Sequence, residues 1–262
     1  MERKLALDIE TTTEVLGLDE DQRPGLDPAI SAVTDIALAY ETADERVRKL
    51  LLTVADDAIA GWNGQETYLT SGRDARYQPY PIDDTSKALV CVSEAQLLQL
   101  LPNVLREIVR NNRIDLVVTW NGGVFDFPFL ADRARRMLGD ASFGTLLELE
   151  ADPAVYVKYA PVPGHDGGYR VQVDGNVRHL DLQAPFKPYA EQRGIRHSLK
   201  PVAIDAGYTP VEVDREAMHL LPTFERWAYA LSDSEVTLGL ADDFWTPLRL
   251  REHVDRSPAL VA

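Results

Sequence analysis

The chain has 262 residues, 45% hydrophobic and 26% charged, enough to bury a sizeable core in one large α/β domain or two small ones. Lys and Arg number 27 against 42 Asp and Glu, and this net charge of −15 excludes binding of polyanions through bulk electrostatics. The single cysteine, Cys91, excludes an internal disulfide and fits a reducing cytoplasm; without a leader or an apolar run of about 18 residues, neither secretion nor membrane spanning is expected.

In chain order, "LALDIETTT" (5–13) alternates apolar with polar residues and reads as a buried strand. A polar connection with Gly and Pro follows, then "AISAVTDIALAY" (29–40), "VRKLLLTVAD" (47–56) and "ETYLTS" (66–71), predicted as further strands of an antiparallel meander. "SEAQLLQLLPNVLREIVRNN" (93–112) is the clearest helix, with Ser93 as its cap and Leu97, Leu98, Leu101, Leu105 and Ile108 on one face. "IDLVVTWNGG" (114–123) is a short strand running into the helix "FDFPFLADRARRML" (125–138), an alternation that predicts an α/β fold with some parallel pairing. Residues 151–182 carry the turn signals "PGHDGG" and "DGN" and predict a β-hairpin-like insertion. Helices are expected in 183–208 and 223–245, and 251–262 reads as a loose tail after a single domain over 1–250.

Asp8 and Glu10 raise a physical problem. In a strand they project from one face with Cα atoms about 6.6 Å apart, so two anions share a partly desolvated surface. Either one takes a proton or a cation sits between them. The spacing alone is weak, because chance places about seven such pairs in a chain with 42 acids. Two further elements join them. Asp126 follows a strand and a Gly-Gly turn at a helix start, where Asp also serves as an ordinary cap. Tyr229 and Asp233 stand at i and i+4 on one helix face.

Taken in order, "DIETT", "WNGGVFDFPFL" and "YALSDSEVTLGL" resemble the three motifs of the DEDD 3′–5′ exonuclease superfamily (DnaQ-like, ribonuclease H-like) in its tyrosine-bearing form. The chain looks most like the proofreading exonuclease domain of family B DNA polymerases. The histidine-bearing subclass would place His five residues before Asp233, where Ala228 stands. The resemblance spans about residues 5–245 and leaves no room for a polymerase palm or fingers, so an exonuclease domain standing alone is expected. It implies an α/β fold, a ribonuclease H-like mixed β-sheet flanked by helices with the hairpin insertion between the second and third motifs. It also implies two Mg2+ or Mn2+ ions. Asp8 would bridge them, Glu10 and Asp233 would complete one site, and Asp126 would hold the second ion. Tyr229 would orient the attacking water, since a phenol with a pKa of about 10 is a poor base. Thr11, Asn121 and Phe125 fall where the family contacts the terminal nucleotides; Phe125 stacks on a base or packs beside Phe127 and Phe129.

Other polar residues have plainer readings. His197 and Lys200 in "RHSLK" either reach a phosphate or serve as a packing histidine and a solvated lysine, the second being preferred. Asp181 reads as a structural cap rather than a fifth ligand, and His165 and His179 as structural. Arg133, Arg135 and Arg136, with Lys187, Arg193, Arg196 and Lys200, form either a basic track toward the site or solvated helix faces. The expected activity is hydrolysis from single-stranded 3′ ends of DNA or RNA, with weak affinity and low processivity. Polymerase or repair proteins are the expected partners, and no membrane. The alternatives are an accessory binding module of exonuclease fold in a replication or repair complex, and a phosphodiesterase for dinucleotides.

Overall fold

A computed structural model describes residues 2–12, 28–29, 31–55, 67–68, 76–139, 147–152, 168–173, 177–214 and 221–256. Among them, ten strands form one mixed sheet: β1 (Lys4–Thr11), β2 (Val33–Glu41), β3 (Val47–Val54), β4 (Thr67–Tyr68), β5 (Arg76–Pro81), β6 (Ser86–Cys91), β7 (Leu116–Thr119), β8 (Leu147–Asp152), β9 (Gly168–Val173) and β10 (Val177–Asp181). Their spatial order is β4-β5-β6-β3-β2-β1-β7-β10-β9-β8. Helices α1 (Glu94–Asn112), α2 (Asp126–Leu138), α3 (Gln183–Arg193), α4 (Leu199–Asp205), α5 (Thr223–Phe244) and α6 (Leu250–Arg256) flank it. The architecture is α/β, a ribonuclease H-like mixed sheet with flanking helices.

The expected meander holds only for β1–β2–β3, which pair antiparallel. β6, missed in the sequence, runs parallel to β3, and β5 and β4 pair in turn beyond it toward that edge of the sheet. β1 pairs parallel with β7, and β7 with β10, the parallel centre that strand–helix alternation predicts. β8 and β9 form the expected antiparallel excursion before β10. The "PGHDGG" turn and His165 lie outside the described residues, as do most of "ETYLTS" and residues 257–262; α6 covers the first part of the segment from 251.

Period-two alternation in β1 and β2 decides what each face of the sheet carries. Leu5, Leu7, Ile9, Ile36 and Leu38 pack with Leu97, Leu98 and Leu101 of α1 and Phe127 and Phe129 of α2. The opposite face presents Ala6, Asp8 and Glu10 from β1, directly across from Ala39, Ala37 and Asp35 of β2. Small residues on that face let α5 lie close across β1, β2 and β3. Trp227, Ala230 and Leu231 of α5 pack on Ala37, Leu51 and Val90. Burying Trp227, which is 1% exposed, contributes on the order of 2–3 kcal/mol relative to leaving it in water. α1 starts as read: the Ser93 hydroxyl accepts the Gln96 N–H.

Candidate active site

β1 and α5 bring three acids to one point. Asp8 and Glu10 leave the α5 face of β1 as i and i+2 neighbours, and Asp233 comes down from the third turn of α5. One carboxylate oxygen from each lies within 4.8 Å of the others. Asp233 is buried, while Asp8 and Glu10 are half-buried at the end of the strand. Immediately after Glu10 the β1–β2 register slips, with Thr11 opposite Val33 and Thr34 left over. Such a bulge bends the strand and re-aims its side chains. The Thr34 hydroxyl donates to the Glu10 carbonyl across it, at 3.3 Å.

Asp126 stands outside that triplet but adjoins it. It is the first residue of α2, with Phe125 in the cap position, so it is not the cap that its place in the sequence also allowed. Its Oδ1 accepts the backbone N–H of Ile9, the residue between Asp8 and Glu10, at 3.2 Å. Burial and the nearby Asp181 carboxylate push Asp126 far above the usual carboxylate range, and burial raises Asp181 as well. Asp181 accepts three backbone N–H groups, from Asn121 at 2.8 Å, Gly123 at 3.1 Å and Gln183 at 3.0 Å, all of which favour its anion.

Asp181 is therefore the structural residue expected, and what it holds matters. It pins the Trp120–Phe125 turn, in which Asn121 sits at φ +69°, a left-handed conformation that Asn tolerates better than most residues. Gly122 has no alternative: a Cβ there would lie 2.3 Å from Oγ1 of Thr119. Phe125 is half-buried, 5.3 Å from Phe129 between ring centroids, and packs on the edge of the core. Thr11 is half-buried at the bulge. His197 behaves as a packing residue, bonded to the Gln183 carbonyl at 2.5 Å and edge-on to Trp120. His179 bonds the Thr119 hydroxyl at 2.8 Å and meets the Phe127 ring edge-on, and burial pushes its pKa down to about 3.

Two expectations need correction. Lys200 is not a solvated lysine: at 8% exposure it reaches into the site. Its Nζ lies 3.3 Å from Oδ1 of Asp233 and 3.7 Å from the centroid of the Tyr229 ring, and it donates to the Val211 carbonyl. Tyr229 itself is 2% exposed. Nothing in the local sequence marks Lys200, because its position depends on how α4 packs on α5. The basic track fails at its first three members. Arg133 is buried and bidentate to Glu94, while Arg135 and Arg136 both grip the buried Asp132. Glu94 in turn accepts the Val33 N–H at 2.8 Å, and Arg133 donates to the Pro28 carbonyl, tying the chain segment ahead of β2 to α1 and α2. Arg193 pairs with Asp205 at 2.9 Å; Lys187 and Arg196 are exposed.

Three converging carboxylates form a donor set suited to a hard divalent cation, which prefers oxygen ligands and offsets their mutual repulsion. Among the described residues no helix is long and apolar enough to cross a membrane. No curated protein matches the chain. The family model described as "DNA polymerase family B, exonuclease domain" matches residues 3–150, a span holding Asp8, Glu10, Asn121 and Asp126, whereas Tyr229 and Asp233 are joined to these by the fold. With more than half its length matched, the chain belongs to the family B DNA polymerase exonuclease domain family.

Proposed function

We propose that the protein is a metal-dependent 3′–5′ exonuclease that hydrolyses phosphodiester bonds at 3′ ends of nucleic acid and releases 5′-mononucleotides. The observation that carries this reading is the convergence of Asp8, Glu10 and Asp233 within 4.8 Å, beside Tyr229 and Lys200. Asp8 would be shared by two ions, Glu10 and Asp233 would complete one position, and Asp126 would serve the other. Bound there, Mg2+ or Mn2+ supplies an acidified water as nucleophile and offsets charge on the leaving 3′ oxygen.

The chain's own groups do the rest. Tyr229 offers its hydroxyl to orient the attacking water. The Lys200 ammonium, held on the Tyr229 ring and against Asp233, lowers the negative potential that an incoming phosphate would meet. Asn121 and Phe125, on the turn pinned by Asp181, would hold the terminal nucleotides, and Thr11, at the bulge, would lie near the 3′ end.

The test is Mn2+-dependent digestion of 3′-labelled and 5′-labelled oligonucleotides, with DNA, RNA and dinucleotides in parallel. Labelled mononucleotide from the 3′ end at the earliest times is expected, and none from Asp8→Ala. Full activity of Asp8→Ala would eliminate the assigned site. A second reading, delivery to nucleic acid by a polymerase or repair partner, is favoured by one observation. The arginines of α2 are engaged by Glu94 and Asp132, so a −15 protein has few cations to spare for phosphates. Weak binding with a shallow salt dependence is expected of the protein alone.

A further inference from the structure

The row of side chains beside Glu10 lies outside the three motifs. Glu10 on β1 faces Asp35 on β2, and Asp35 faces Thr53 on β3, all directed at α5. Two consecutive residues in the first turns of α5 fasten onto this row. Nε of Arg226 lies 3.1 Å from Oδ2 of Asp35, and the Trp227 indole N–H donates to Oγ1 of Thr53 at 3.1 Å. Asp35 is fully buried, and the Arg226 side chain is 16% exposed. Arg226, Tyr229 and Asp233 stand at i, i+3 and i+7, on one face of the helix.

We propose that the Asp35–Arg226 ion pair is a positioning clamp that sets the roll and axial register of α5 against β1 and β2, and thereby places Asp233 and Tyr229 opposite Asp8 and Glu10. This rests on the proposed exonuclease reading and extends it to residues that touch neither metal nor substrate. The physical need is a short lever. Side-chain tips stand about 6 Å from a helix axis, so a roll of about 10° displaces them by about 1 Å. Misplacement of about 1 Å is enough to cost on the order of 100-fold in rate. Apolar packing of Ala230 and Leu231 resists separation of helix and sheet but is tolerant of sliding, and the Lys49–Glu235 and Lys4–Asp242 pairs further along α5 each use an acid that is 51% or 36% exposed to water. The Asp35–Arg226 pair, charged, hydrogen-bonded and fixed in geometry, is not tolerant of sliding, and it sits one strand away from the ligand it registers.

The clamp is tested in the double variant Asp35→Leu/Arg226→Met, because replacing both partners of a buried pair with apolar groups preserves folding where removing one does not. Three measurements are made on the full chain: thermal unfolding, amide hydrogen exchange along α5, and Mn2+ binding read from the free-ion electron paramagnetic resonance signal. A variant melting near the wild type is expected to exchange the Arg226–Asp233 amides about ten-fold faster, with Leu238–Ala241 unchanged. Its Mn2+ half-saturation is expected to rise about ten-fold. Unchanged exchange overturns the clamp. So does faster exchange with unaltered Mn2+ binding, since the docking is then not transmitted to the ligands. If the wild type binds no Mn2+, the exonuclease reading fails, and the exchange measurement alone still decides whether the pair sets α5.

Discussion

Lys200→Met probes the electrostatics of the site most directly. Methionine keeps the apolar stem and removes only the ammonium, which lies 3.3 Å from Asp233 and 3.7 Å from the Tyr229 ring centroid. At an effective dielectric of about 20, a 3.3 Å ion pair carries roughly 5 kcal/mol of attraction. The desolvated ring contact adds about 2 kcal/mol. Most of this is offset by the cost of burying an ammonium at 8% exposure. What remains after the substitution is Asp233, buried beside Asp8 and Glu10 with no lysine, and breaking such a pair costs about 3–5 kcal/mol. In EDTA the variant should therefore melt on the order of 10 °C below the wild type. Saturating Mn2+ should close much of that gap, because a divalent ion among the three carboxylates replaces the lost charge. By linkage, the ion must also bind the variant more tightly than the wild type, where it shares Asp233 with Lys200. Differential scanning calorimetry in EDTA and across a Mn2+ series measures both effects. An equal deficit with and without Mn2+, or none in EDTA, would refute the claim that Lys200 and the cation compensate the same carboxylates.

Other outcomes follow from particular contacts. Asp233→Asn should abolish metal-dependent nucleotide release while leaving far-ultraviolet dichroism unchanged; Tyr229→Phe should slow release by less, as single-turnover rates will show. Gly122→Ala drives a methyl into Thr119 and should destabilise the fold by about 1–3 kcal/mol in urea titration, with Thr119→Ser recovering little because Cβ is also in the way at 2.5 Å. His179 is held neutral, its pKa pushed from 6.5 down to about 3, so below pH 6.5 the unfolded chain binds a proton that the native one refuses. Stability should thus fall as pH drops from 6.5 toward 3. Between those two values the slope approaches about 1.4 kcal/mol per pH unit, and partial exposure of the residue narrows the pH window rather than the slope. His179→Gln should flatten the curve; an unchanged urea-melting profile would remove His179 as its source. Cys91, whose thiol burial pushes up to about 12, should resist thiol reagents in the native state and react on unfolding.

The covalent order of residues determined more of this protein than its acidic composition suggests. Alternation in β1 set Asp8 and Glu10 on one face and Leu5, Leu7 and Ile9 on the other, because a strand has no other choice. Helical spacing put Tyr229 and Asp233 together, and the apolar stripe with its Ser93 cap defined α1. These are local geometries, fixed within a few residues. Tertiary structure alone decided the rest. β6 slots parallel beside β3 because a strand's second pairing partner is not written in its own sequence. Arg133 looks like part of a basic track until Glu94 arrives from α1 to neutralise it, whereas the pairing of Arg135 and Arg136 with Asp132, three and four residues back on α2, is local spacing that the sequence already carried. Lys200 reads preferentially as a solvated lysine, and nothing in the sequence singles out Arg226. Only the packing of α4 on α5, and of α5 on the sheet, buries them against Asp233 and Asp35. Charge partners far apart in sequence meet through packing, and local sequence pattern does not encode that distance.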